Sequence, residues 1–136
     1  KPRIIVAREE KYAAFRTARA ALAASGTVTL ELALAGVPMV AAYRVAPIEA
    51  VIARRLIRVP SVILANLVLG ENVVPEFLQQ DCTPDNLAGA LAPLLADSPE
   101  RRRQCAAFAR LDAIMEIGAA RPSQRAADIV IAAARP

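Results

Sequence analysis

Two short apolar runs, Ala20 to Ala24 and Met39 to Tyr43, are joined by fourteen residues that open with Ser25-Gly26-Thr27 and close with Gly36-Val37-Pro38. Each run is too short and too uniformly apolar for a surface helix, and turn residues bound it. Such runs read as strands buried on both faces. Between them, Leu30, Leu32, Ala33 and Leu34 belong to a helix that starts near Thr27 or Val28. Gly36 sits where a helix C-terminus favours a positive φ, and Pro38 blocks further helix. Strand, helix and strand in so little chain make a parallel unit with a right-handed crossover.

The rest of the first half continues the alternation. Ile4 to Ala7 reads as a buried strand. Glu9 to Arg19 reads as an amphipathic helix with Tyr12, Phe15 and Ala18 inward. Pro47 opens a helix to about Arg58, with Ile48, Val51, Ile52 and Leu56 on one side. Val62 to Leu64 reads as a fourth strand, 65–74 as irregular, and Pro75 to Gln80 as a short helix. Helices then take over. Thr83-Pro84-Asp85 is a start signal, with Leu87, Leu91, Leu94 and Leu95 on the buried side. Ser98-Pro99-Glu100 repeats it ahead of Phe108, Leu111, Ile114 and Met115, and Ser123 caps a last helix bearing Ile129 and Val130. The predicted class is α/β: a Rossmann-like parallel sheet with flanking helices and a helical C-terminal tail.

Composition removes several kinds of chemistry. Histidine is absent, so His-based triads, imidazole metal sites and His general bases are excluded from this chain. Cys82 and Cys105 have no pairing motif and read as inert free thiols. No Asp-x-Asp pair supports a metal-held diphosphate, and no metal or cofactor is expected. The formal charge of +4 suits an anionic ligand or surface as well as plain solvation. Nucleic acid is excluded as a partner, because the basic residues do not alternate with stacking aromatics. Ala20 to Tyr43 is the most apolar long stretch, but its two turns rule out a membrane span. The opening Lys1-Pro2-Arg3 runs straight into an apolar segment without Met, and a piece of a longer chain is expected.

The turn at Ser25 carries the chemistry. In open parallel sheets, ligands bind beyond the carboxyl ends of the strands. Gly26 allows close approach of a ligand to the backbone, and the N–H groups opening the next helix attract phosphate. Ser25 and Thr27 add hydroxyls. Glu31, one turn into the helix, can accept hydrogen bonds from sugar hydroxyls. A bare cap with a dipole-favouring acid explains the same residues, so local chemistry leaves both readings open.

A series of segments in order narrows this. Ser-Gly-Thr-Val-Thr-Leu-Glu at 25–31, the run through Gly36-Val-Pro to Tyr43-Arg44, Ala53 to Leu67 around Asn66, Gly70 to Gln80 with Val-Pro-Glu at 74–76, and Thr83-Pro84-Asp-Asn-Leu87 together resemble lipid-A-disaccharide synthases. The similarity covers about residues 20–95. Ala65 stands where that family's segment has proline.

The resemblance implies the C-terminal part of a two-domain GT-B glycosyltransferase that joins UDP-2,3-diacylglucosamine to 2,3-diacylglucosamine 1-phosphate and releases UDP. It implies that Ser25, Gly26 and Thr27 lie by the donor diphosphate or sugar. Glu31 would meet the ribose hydroxyls, and Asn66, Glu76 and Gln79 would line the cleft. Arg44, at a strand end, is a candidate partner for phosphate. The catalytic base is expected in the N-terminal domain, so these residues alone are expected to be inactive. Residues 1–97 are expected to form the donor-binding domain without its first strands. Residues 98–136 are expected to pack back on the N-terminal domain or on a partner subunit, with segment exchange in a homodimer as one form.

An acyl-chain substrate implies a cytoplasmic protein, peripheral on the inner membrane. Arg54, Arg55 and Arg58 beside apolar residues suit an anionic lipid surface, or a sheet-packing helix with solvated arginines. Arg101-Arg102-Arg103 reads as a solvated face. Two alternatives stand beside the transferase: another GT-B UDP-sugar enzyme of the 2-epimerase kind, and a non-catalytic interaction domain that kept the fold.

Overall fold

The computed structural model describes residues 2–24, 26–44, 61–115 and 122–134. Its centre is a parallel three-stranded sheet of β1 (Ala21–Ala24), β2 (Met39–Tyr43) and β3 (Glu76–Leu78), in that spatial order. Ala24 faces Ala42, Ala42 faces Phe77 and Tyr43 faces Leu78, so the three carboxyl ends lie side by side. The central strand is the most buried, with Met39 and Val40 fully enclosed.

Helix α1 (Arg8–Thr17) leads into β1, and α2 (Thr27–Leu34) crosses from β1 to β2. The α2 helix buries Thr29, Leu32 and Ala33. Gly36 takes φ 70°, as the turn chemistry predicts. Helix α3 (Leu64–Leu69) precedes β3 and ends on Gly70, also at φ 70°. A 3-10 turn (Gln79–Asp81) leads to α4 (Pro84–Leu95), α5 (Pro99–Phe108), α6 (Leu111–Ile114) and α7 (Pro122–Ala133). Thr83 and Ser98 cap α4 and α5, their hydroxyls accepting from the Asn86 and Arg101 amides at 3.3 and 3.0 Å. One core joins these layers: Leu32, Ala33 and Met39 meet Ile63, Val73 and Val74 from the middle of the chain, and Phe108 and Leu111 from α5 and α6.

Several expectations need correction. β1 is an edge strand of the described sheet and not buried on both faces: only Ala23 is buried and Leu22 is 53% exposed. Part of 65–74, read as irregular, is helical in α3. Residues 4–7 form no strand; Ile4 and Val6 are 87% and 89% exposed. A β-branched run becomes a strand only where an edge accepts it, and the described sheet pairs stop at β1. Val62 to Leu64 is likewise no strand: Ile63 is the buried, extended N-cap of α3, Leu64 opens that helix and Ala65 is buried in its first turn. A short apolar run cannot distinguish these two states by periodicity. Pro75 starts no helix and stands just before β3. Its carbonyl accepts from the Ala41 amide at 2.9 Å, and a residue without an N–H is tolerated at that position. Leu94 is buried but its neighbour Leu95 is 55% exposed, since successive helical residues point about 100° apart. In the tail, Ser123 lies inside α7, which begins at Pro122, and so does not cap it; Ile114, Met115, Ile129 and Val130, for which the sequence reading sets no burial, are exposed. The expected helix from Pro47 to Arg58, with Arg54, Arg55 and Arg58, lies outside the described residues.

Candidate functional site

At the carboxyl edge, β1 ends and the chain turns through Gly26 into α2. Gly26 has φ 133° and ψ −164°, a combination that only glycine adopts readily. The turn is locked from the other side by Thr29, whose hydroxyl and amide both donate to the Gly26 carbonyl, at 2.8 and 3.2 Å. No side chain caps the first amides of α2 among the described residues. Thr27 is exposed and Gly26 half-buried at this end. Ser25 lies outside the described residues.

Next along the same edge, Tyr43 and Arg44 follow β2, both exposed. Beside them Gln79 follows β3 and has φ 51°, the left-handed region, which is uncommon for a residue with a side chain. The parallel register therefore brings Gly26, Thr27, Arg44 and Gln79 to one rim. Glu31 lies farther along α2. Its Oε2 accepts from Lys11 Nζ of α1 at 2.7 Å. That hydrogen bond, followed by Coulombic attraction to the same carboxylate, raises the Lys11 pKa above its usual 10.5.

Asn66 and Glu76 are engaged differently. Asn66 is buried, and its amide is saturated. Nδ2 donates to Ser61 Oγ and the Val74 carbonyl, at 3.2 and 3.0 Å. Oδ1 accepts from the Val73 and Val74 amides, at 3.0 and 2.9 Å. These four bonds use the full capacity of a side-chain amide. Glu76 opens β3, and its Oε2 accepts from the Val62 amide at 3.1 Å. Asn66 thus ties the 61–74 segment to itself, and Glu76 ties that segment to β3. A shallow cavity of about 180 Å³ lies over this tie, lined by Ser61, Asn66, Leu67, Gly70, Glu71 and Asn72.

Three polar residues outside the sequence-predicted set do structural or site work. Gln104 of α5 is buried and brackets Met39: Oε1 accepts from its amide at 2.8 Å and Nε2 donates to its carbonyl at 3.0 Å. Arg101 donates to the carbonyls of Leu94, at 2.9 Å, and Arg19. Arg102 and Arg103 are exposed, as a solvated face requires; Arg102 pairs with Asp97 and Arg103 reaches Glu71, which also pairs with Arg110. Lys11 is the third. Nothing in its local sequence marks it, because its partner lies twenty residues away.

A family model for lipid-A-disaccharide synthetase matches residues 2–130. The chain belongs to that family. It is 69% identical over 130 residues to a lipid-A-disaccharide synthase of Nitrobacter hamburgensis, covering 96% of this chain and 33% of that protein. It is 67% identical over 135 residues to one of Bradyrhizobium diazoefficiens, covering 99% and 34%. A synthase of Paramagnetospirillum magneticum is 46% identical over 132 residues, covering 96% and 34%. The chain thus spans about a third of the length of these synthases. Glycosyl transfer is the family's chemistry, and the resemblance read from residues 20–95 is borne out across almost the whole chain.

Proposed function

We propose that this chain is the donor-holding part of a glycosyltransferase that joins UDP-2,3-diacylglucosamine to 2,3-diacylglucosamine 1-phosphate. The observation that carries the reading is the Gly26 turn, a glycine-only backbone at the carboxyl end of a parallel strand, opening into a helix whose first amides no described side chain caps. That arrangement receives an anion without a metal. Ser25, Gly26 and Thr27 take the diphosphate or sugar, Arg44 adds positive charge from the neighbouring strand end, and Glu31 accepts from the ribose hydroxyls. Gln79 closes the rim. Asn66 and Glu76 form the cleft wall by fixing the loop that bears it.

Departure of UDP is aided by the helix dipole and arginine, which stabilise charge developing on the diphosphate. The acceptor hydroxyl needs a base, and the family resemblance assigns none of the acids of this chain to that task. The base belongs to the N-terminal domain. Residues 1–97 supply the donor-binding unit. Residues from 98 share its core through Gln104, Phe108 and Leu111, while the apolar side of α7 packs on that other domain or a partner subunit. Acylated substrates place the reaction at the cytoplasmic surface of the inner membrane. No described helix is long and apolar enough to cross a membrane.

Calorimetric titration with UDP tests the donor site. Binding in the millimolar range or tighter, weakened by Glu31→Ala, is expected. Absence of binding, or binding indifferent to Glu31→Ala, refutes it. Turnover by the 136 residues alone would refute the placement of the base.

A further inference from the structure

Glu31 is held from two helices. Lys11, on α1, donates from Nζ to Oε2 at 2.7 Å, and the two side chains are 37% and 30% exposed. Lys11 is itself confined. Its ammonium lies 4.8 Å from the Tyr12 ring centroid and 5.8 Å from that of Phe15, close enough for cation–π attraction. The two rings meet edge to face at 6.0 Å, and Phe15 packs against the core. The cation is therefore anchored to the body of the protein.

A carboxylate offers about four lone-pair sites. Lys11 takes one, on Oε2. Oε1 and the second site of Oε2 lie outside that bond and are oriented by it. Two adjacent hydroxyls need such a pair of acceptors in a fixed plane. As a plain ion pair at this exposure, the contact would contribute little to stability.

We propose that Lys11 is a positioning residue for donor recognition: its ammonium fixes the Glu31 carboxylate in the orientation that accepts from the vicinal ribose hydroxyls of the nucleotide. This rests on the reading of Glu31 as the ribose acceptor. The second residue lies outside every motif of the turn.

The test uses a whole synthase carrying this segment, with UDP and its 2′,3′-dideoxy analogue as probes and the ratio of their Kd values as readout. The unmodified enzyme favours UDP by about tenfold or more, as hydrogen bonds to a charged group do. Glu31→Gln brings that ratio close to one. Lys11→Met lowers it several-fold and leaves the affinity for the dideoxy analogue within twofold, while Lys11→Arg restores it. If Lys11→Met does not fold, Lys11→Gln takes its place. A normal ratio in the Lys11 variant, with the ratio lost in Glu31→Gln, overturns the positioning role alone. An equal loss on both nucleotides also overturns it, because the lysine then meets phosphate or supports the fold. A normal ratio in Glu31→Gln removes the ribose reading and this proposal with it.

Discussion

Replacing Gln104 by leucine tests how the central strand is held. Strand β3 pairs with β2 only from Ala41 onward. The Met39 amide and carbonyl point the same way as those of Ala41, because residues two apart on a strand share a direction. They lie before the start of β3, and the Gln104 amide takes the place of the missing strand, at 2.8 and 3.0 Å. Both residues are buried, Met39 completely and Gln104 at 2% exposure. Leucine keeps much of the volume and orphans both backbone groups. Each orphan costs about 1–3 kcal/mol, so a loss of about 3 kcal/mol is expected after partial relaxation. For a chain of this size that lowers Tm by about 10 °C. Urea unfolding measures the loss directly. Gln104→Glu adds a signed control: one oxygen can still accept from the Met39 amide, but the other faces the Met39 carbonyl. Burial and that carbonyl raise the glutamate pKa in the folded state. The variant therefore loses stability as the pH rises through that raised folded value, and recovers it as the pH falls back toward the ordinary glutamate value of about 4.3, below which the recovery is complete. A loss below about 1 kcal/mol in Gln104→Leu, or a pH-independent defect in Gln104→Glu, would refute the strand-substitute account.

Asn66→Asp removes both Nδ2 donations and sets a charge against the Val74 carbonyl; urea unfolding should show a loss of about 2–4 kcal/mol. Gly26→Ala should cost about 1–3 kcal/mol through backbone strain alone, because no atom lies within 4 Å of the added methyl, and should exceed the cost of Gly70→Ala by the same measurement. Glu100 has a lowered pKa, first through its own backbone amide and then through the Ser98 hydroxyl. Its contribution is present above about pH 4.5 and is lost as the pH falls through the lower folded value, so Glu100→Gln should flatten the acid limb of a Tm-against-pH curve.

The sequence was most legible where one residue determines local geometry. Gly36, Pro38, Thr83-Pro84 and Ser98-Pro99 set turns and helix starts through their own φ or hydroxyl, and those elements stand where the sequence reading puts them. It was least legible where a distant partner decides. Ile4 to Ala7 and Glu76 to Leu78 differ little in length; one meets an open ladder on β2 and the other does not. Val62 to Leu64 has strand composition, but Asn66 and Ser61 organise that stretch into a turn and helix. The Gly26 turn was legible as a turn because only glycine suits it. The Lys11 contact to Glu31 was not, since it depends on how α1 lies against α2.

The same distinction separates polar residues that build from those that can bind. A buried amide with every lone pair and proton satisfied has nothing left to offer a ligand and would cost stability if disturbed. Asn66 and Gln104 are of that kind, although only one of them lies in a motif. Thr27 and Arg44 are exposed at the carboxyl rim, and Glu31 is half-exposed beside it with one carboxylate oxygen engaged. A ligand can reach these without breaking the fold. Variants of the first group should therefore change unfolding midpoints, and variants of the second should change nucleotide affinity at unchanged midpoints. A residue that moves both in proportion belongs to the first group, whatever motif it stands in.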